Sequence, residues 1–344
     1  MTAQNMMPIS VIVRIVLPAK QESEVKYAVI GVGNMGKNHV RSVHEMPELE
    51  LVAVADANLA AAQAKTKLYG CQSFSDYQEM LAQVDIDAVS VCVPTTKHLE
   101  VASACMRAGK HVLLEKPIAH TVEEGRTLQA LAKECGVQLM VGHIERFNPA
   151  VQKVKALLAE GAIGRVVTII ARRVGVFPPQ IRDANIAVDL AIHDLDIVSY
   201  LLDELPDEVV AGKQRNHIEL REDSVEFFLR YPSATAFVQA NWITPVKIRK
   251  LNITGMEGYL EMDYMTQKIL YYKSNYEKFR DSTDHEDGFS DYILKYLEPD
   301  LVEVSVTKKE PLKEEIRFFM DHIKSGKPIC TNFAIDALGI ALQA

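Results

Sequence analysis

A short apolar run, Tyr27 to Ile30, leads directly into Gly31-Val32-Gly33-Asn34-Met35-Gly36, and from there into a helical pattern through Val40 and Val43. Three glycines at these positions, between a strand and a helix, constrain the backbone tightly. The first permits a tight turn, the second lets the main chain approach a pyrophosphate, and the third lets the helix pack closely on the strand. The opened helix then presents unpaired N–H groups and a partial positive charge to the phosphates. Alone the pattern is weak. At the head of a series of alternating strands and helices it becomes a dinucleotide-binding fingerprint.

Such a series follows. The runs Tyr27–Ile30, Leu49–Ala55, Ala88–Val93, His111–Leu114 and Gln138–Val141 are nearly unbroken apolar segments, as expected of parallel strands covered on both faces. Helix ends separate them: Asn58 before a helix stopped by Gly70, Thr96 before one stopped by Gly109, and Thr121 with Glu124 as a capping box. Repeated βα units predict an α/β chain whose N-terminal domain, residues 26–146, is a doubly wound Rossmann sheet. Asp56 ends the second strand twenty residues after Gly36. A carboxylate there accepts hydrogen bonds from ribose hydroxyls and repels a 2′-phosphate, which favours NAD over NADP.

Beyond residue 147 the rhythm changes. A helix over Pro149–Glu160, a strand over Arg165–Val174 and an apolar helix over Ala187–Leu202 precede six short strands: Asp207–Lys213, Val225–Tyr231, Thr235–Trp242, Ile248–Thr254, Tyr259–Tyr264 and Ile269–Lys273. Their alternation predicts an α+β domain, residues 147–344, with an open and mainly antiparallel sheet. A polar, acidic stretch from Tyr276 to Asp300 reads as a surface excursion. The helices Pro311–Lys324 and Phe333–Gln343 are candidates to pack back on the first domain. Residues 1–25 read as an N-terminal extension.

The chain has 344 residues, 48% hydrophobic and 24% charged, with a net charge of −8. This is an ordinary globular composition, and its acidity argues against a general nucleic-acid binder. No apolar run approaches the ~20 residues needed to span a bilayer. Five cysteines, without a C-x-x-C pair, suggest neither a disulfide framework nor a zinc ribbon, and a reducing cytoplasm is the expected location.

Two further motifs carry chemistry. Glu115-Lys116-Pro117 falls at the carboxyl end of a strand, where doubly wound sheets bind their ligands, so Lys116 can steady charge on an alcohol or ketone oxygen. On the helix Val188–Leu202, Asp189, His193, Asp196 and Tyr200 share one stripe of an otherwise apolar surface. The i, i+4 spacing predicts that Asp189 hydrogen-bonds His193 and orients it as a base. A metal held by Asp189, His193 and Asp196 is the competing reading, disfavoured because no second histidine lies at ligand spacing; no metal is expected.

Together, the glycine turn, Glu115-Lys116-Pro117 and Asp189-x-x-x-His193-Asp194 resemble the Gfo/Idh/MocA oxidoreductases from about Lys26 to the C-terminus. The resemblance implies a catalytic group of Lys116, Asp189 and His193. It also implies cofactor contacts from Gly31, Gly33, Asn34, Met35, Gly36, Asp56, Pro94, Thr95, His98, Glu115 and Lys116, and a homodimer or homotetramer formed through the open sheet. Within the family, residues 143–149 and 172–183 are most similar to enzymes that oxidise the C3 hydroxyl of UDP-N-acetylglucosamine, whose product a partner aminotransferase can aminate. Arg146, Asn148, Arg172, Arg173, Arg182 and His193 are then the expected substrate contacts, arginine forks suiting a diphosphate. An inositol or other sugar dehydrogenase, a UDP-N-acetylglucosaminuronate 3-dehydrogenase, and an NAD-sensing regulatory protein are the alternatives; an uncharged polyol has no use for the arginines.

Overall fold

A computed structural model describes residues 25–176, 185–216, 222–274 and 300–344. Arg182, the predicted extension up to residue 24 and residues 276–299 lie outside these. Strands β1 (Val25–Ile30), β2 (Leu49–Ala55), β3 (Gln72–Phe74), β4 (Ala88–Val91), β5 (His111–Glu115) and β6 (Leu139–Gly142) form one sheet in the order β3-β2-β1-β4-β5-β6. Every pairing in it is parallel. The strand order reverses between β1 and β4, so the carboxyl ends of these two strands open a crevice at the switch point. Helices α1 (Gly36–His44), α2 (Leu59–Tyr69), α3 (Tyr77–Gln83), α4 (His98–Arg107) and α5 (Val122–Cys135) connect the strands. Two of the expected caps form: the Asn58 side chain accepts from Ala61, and Thr121 and Glu124 close a reciprocal capping box. Thr96 does not cap α4; it lies within a short 3-10 turn, Thr95–Lys97, and the helix begins after Lys97 without a side-chain cap. Strand β3 and helix α3 add to the predicted series. Three residues are too few to show an alternation, so the sequence does not mark this unit.

The second sheet has eight strands. After helix α6 (Pro149–Ala159) and β7 (Val166–Val174) come a π-helical turn, Ala187–Ala191, and helix α7 (Ile192–Leu202). Strands β8 (Glu208–Gln214), β9 (Ser224–Arg230), β10 (Thr235–Asn241), β11 (Ile248–Gly255), β12 (Gly258–Asp263), β13 (Lys268–Lys273) and β14 (Asp300–Val304) follow, in the sheet order β14-β13-β12-β11-β7-β10-β9-β8. Only β7 and β10 run parallel; the remaining pairs are antiparallel.

Alternation along β7 decides what each face does. Ile169 and Ala171 are fully buried toward α7, whereas Ile170 is 45% exposed on the outer face. Each buried aliphatic side chain contributes about 1.5–3 kcal/mol, and α7 adds Leu195, Ile197 and Val198 to the same core. The last two helices, α8 (Pro311–Ser325) and α9 (Asn332–Ala341), dock on different surfaces. Helix α8 buries Leu312, Ile316, Phe319 and Met320 beneath the first sheet, against Tyr27, Leu113 and Met140. Helix α9 packs on α5 and α7, bringing Ile335 and Leu338 into a core continuous with both halves. That packing fixes α7 and the π turn before it, whose Asp189 lines the crevice.

Candidate active site

The crevice encloses about 930 Å³, within the range of small-molecule and cofactor sites. Of the predicted cofactor contacts, all but Gly36 line it. Gly31 has φ +85° and an added Cβ would meet the Cys92 carbonyl oxygen at 2.7 Å, so the tight turn admits only glycine. A Cβ on Gly33, by contrast, would meet nothing within 4 Å. The backbone is open there, the approach a pyrophosphate requires. Gly36 lies below, with the Gly31 carbonyl oxygen 1.7 Å from the place a Cβ would take.

Asp56 ties this turn down. One of its oxygens accepts the Val32 N–H at 2.8 Å and the other the Asn58 N–H at 2.8 Å. Carboxylate oxygens have further lone pairs, so ribose hydroxyls can be accepted from the same position. Sequence reasoning missed Ser75, Asp76 and Tyr77 on this wall, because they follow the short strand β3. It also missed Lys97, whose charge is paired with Glu100 at 2.9 Å.

Glu115 faces the crevice but is held from behind. Its Oε1 pairs with His39 Nε2 at 2.8 Å, His39 Nδ1 meets Ser90 Oγ at 2.9 Å, and Ser90 Oγ meets the Tyr27 hydroxyl at 2.8 Å. Burial pushes the Glu115 carboxyl up, yet the His39 hydrogen bond and charge outweigh it and the pKa is lowered. Among the described residues His39, Cys92 and Glu115 also bring potential ligand atoms within 4.8 Å of one another. Two of those three residues are already joined by the relay. His98, expected at the cofactor, has its ring nitrogens on the carbonyls of Pro117 (2.8 Å) and Val93 (3.0 Å). It braces the turn that carries Lys116, which a cis peptide bond joins to Pro117.

Lys116 and Asp189 meet across the crevice. The ammonium donates to the Asp189 carbonyl at 2.7 Å and to its carboxylate at 3.2 Å. This differs from the expected Asp189–His193 hydrogen bond. The π turn over Ala187–Ala191 breaks the α-helical register on which that spacing rests, and Asp189 faces Lys116 instead. His193 stands on α7 with Nδ1 buried and without a hydrogen-bond partner among the described residues. Burial, and then the positive charges of Lys116 and Arg173, push its pKa well below 6.5. The imidazole is neutral at physiological pH.

The expected substrate contacts separate. Arg146 closes a bidentate pair on Asp196 at 2.8 and 2.7 Å and lies 3.7 Å from the Phe333 ring centroid. Arg173, 4% exposed, grips Asp194 at 2.7 and 3.0 Å and Glu145 at 2.8 Å. Both forks are consumed internally, because a buried guanidinium requires a counter-charge. Asn148 caps α6 and donates to the Tyr264 carbonyl at 3.0 Å, so it too is structural. Arg172 alternates with Arg173 and is exposed on the outer face. Of the expected substrate contacts among the described residues, His193 alone combines a ring nitrogen without a partner with a place near enough to Lys116 to feel its charge, though it does not itself line the crevice.

Comparison with known proteins gives the arrangement its context. Residues 25–143 match the family model of the oxidoreductase family with an NAD-binding Rossmann fold, and residues 151–261 match the GFO/IDH/MocA C-terminal domain. Inositol 2-dehydrogenase of Rhizobium meliloti (strain 1021) is 37% identical over 191 residues, 54% of this chain and 58% of that protein. UDP-N-acetylglucosamine 3-dehydrogenase of Acidithiobacillus ferrooxidans is 27% identical over 305 residues, 89% of this chain and 90% of that protein. The solved structure of the latter enzyme superposes with a TM-score of 0.78 at 26% identity, covering 92% of this chain and 95% of that one. The nucleotide crevice, the Lys116 turn and the matched models place this chain in the Gfo/Idh/MocA family, whose NAD-dependent sugar and polyol dehydrogenases act on CH–OH groups.

Proposed function

We propose that the protein oxidises the C3 hydroxyl of UDP-N-acetylglucosamine to the 3-keto nucleotide sugar. The observation that carries the chemistry is the junction of Lys116 with Asp189 beside the neutral His193. An ammonium has three donors, and Asp189 takes two, leaving one for the substrate oxygen. Lys116 holds that oxygen and stabilises the negative charge it gathers. An unprotonated ring nitrogen of His193 takes the hydroxyl proton, which it can do at neutral pH because its pKa is depressed. Asp189 fixes the direction of Lys116. NAD, when bound against Gly33 and Asp56, supplies the hydride acceptor. The choice of substrate is supported by similarity to the Acidithiobacillus enzyme along nine-tenths of both chains. A C3 ketone is also what an aminotransferase consumes, which is the reaction expected next.

Higher local identity to an inositol dehydrogenase, over about half the chain, favours a polyol as the second reading. Following NADH absorbance with UDP-N-acetylglucosamine, inositols and hexoses separates the two. The proposal expects a kcat/KM for the nucleotide sugar at least about tenfold above any neutral polyol, one decade being worth about 1.4 kcal/mol. A preference for inositol refutes it.

We further infer that a second copy covers the outer face of the eight-stranded sheet. Ile170, Phe237, Phe228 and Val210 are cross-strand neighbours in one row, and three of them are 45–52% exposed. A single apolar row of this kind marks an interface. A solution mass equal to one 38.4 kDa chain would contradict it. A cytoplasmic location is proposed on the cysteines, all five free; no helix among the described residues is long and apolar enough to cross a membrane.

A further inference from the structure

Arg249 was not singled out by any motif, yet it lies beside one of the expected arginines. It stands directly across the β7–β11 ladder from Arg173, so the two side chains leave the sheet on the same face. Like charges placed directly opposite one another destabilise a sheet. Arg173 has Asp194 and Glu145 to neutralise it. Arg249 has no ion pair among the described residues. Its Nη1 donates to the carbonyls of Val174 (2.9 Å) and Ile248 (3.1 Å), which fix one arm of the fork and supply no counter-charge. Burial, and then the charge of Arg173, push its pKa down to about 10. The group is close enough to the reacting cluster for its charge to act on His193 and to be felt by Asp189.

A half-buried guanidinium with no ion pair of its own among the described residues, opposite a second one, stays short of negative charge: Asp194, Glu145 and Asp189 act on it from a distance, but the first two are bonded to Arg173 and the third to Lys116. It faces the side of the sheet where α7 carries His193. We propose that Arg249 binds an oxyanion of the substrate, and so selects anionic over neutral sugars. The inference rests on the nucleotide-sugar reading for the identity of that anion, the diphosphate on C1, two carbons along the same ring from the reacting C3. A uronate carboxylate would present the same chemistry.

The test uses the NAD-loaded enzyme, its Arg249→Gln and Arg249→Lys variants, and three substrates: UDP-N-acetylglucosamine, glucuronate and myo-inositol. In R249Q the ratio of kcat/KM for the anionic substrate to that for inositol falls about ten- to a hundredfold, as for loss of one charge-assisted hydrogen bond. The loss lies mainly in KM, R249K recovers part of it, and NAD affinity stays within about twofold, taking a tenfold change as 1.4 kcal/mol. Thermal melting establishes that both variants fold. An unchanged ratio, or an equal loss on all three substrates, overturns the role of Arg249. So does a wild-type enzyme that takes only uncharged substrates. Oxidation of glucuronate but not of the nucleotide sugar, with the preference lost in R249Q, refutes the nucleotide-sugar reading and keeps Arg249.

Discussion

Glu315 on α8 offers the sharpest test of the energetics. It is 0% exposed, and neither carboxyl oxygen has a hydrogen-bond partner among the described residues. Its helix neighbours Leu312, Ile316 and Phe319 belong to the apolar layer beneath the first sheet. Burial raises its pKa well above 4.5, and the charge of Glu115 raises it further. The folded protein therefore holds a proton on Glu315 at pH values where the unfolded chain has released it. Stability from this group is fully present below the ordinary carboxyl pKa and declines as pH rises through the window above it. One proton of difference gives a slope of about 1.4 kcal/mol per pH unit. Glu315→Gln removes the titration and keeps the shape. Urea midpoints of both proteins at pH 5, 6 and 7 measure the effect: the stability of E315Q relative to wild type should climb as pH rises above 5, by at most about 1.4 kcal/mol per pH unit. Parallel pH curves would show that the carboxyl is solvated or paired, and would refute the reasoning.

Asp194→Asn should cost up to about 3–5 kcal/mol, because it removes one of the two counter-charges of a buried arginine and leaves only Glu145, and adding Arg173→Met should recover part of that in a double-mutant cycle followed by denaturation. Additive losses would mean that the pair does not act as a unit. Asp56→Ser should weaken NAD about ten- to a hundredfold and narrow the gap to NADP, read as the two cofactors' KM values; a preserved NAD preference would move the discrimination to Asp76. The depressed His193 pKa requires kcat/KM to stay level from pH 8 down through 6.5 and to fall only below it. His193→Asn should lower kcat about 10²–10⁴-fold with NAD affinity retained. A wild-type limb above pH 6.5 assigned to His193 by its loss in H193N would contradict the buried, cation-surrounded imidazole.

The cofactor half of the site was legible because its signals are local. A glycine is demanded where Gly31 turns at positive φ and where Gly36 nearly touches the Gly31 carbonyl, and the chain records both directly. Strand–helix alternation similarly announced the parallel sheet. The unit of β3 and α3 left no such trace, and with it went Ser75, Asp76 and Tyr77. The substrate half depends on partners distant in sequence. Strand parity, which buries Ile169 and Ala171, already puts Arg173 inside and Arg172 outside. What parity cannot say is that Asp194, twenty-one residues on, meets Arg173, or that Arg249 lies opposite it seventy-six residues on.

Partner choice also explains why the motif helix is so rich in acids. Asp189, Asp194 and Asp196 answer three different cations: Lys116 from the first sheet, Arg173 from the second, and Arg146 from the junction between them. Each carboxylate thus pins one part of the fold to α7 or to the π turn before it, and none is left to hydrogen-bond His193. A base flanked by a carboxylate would have its protonated form stabilised; here Lys116, Arg173, His143 and Arg249 all oppose that form. The acids lock the frame, while burial first and the surrounding cations second keep the imidazole without its second proton.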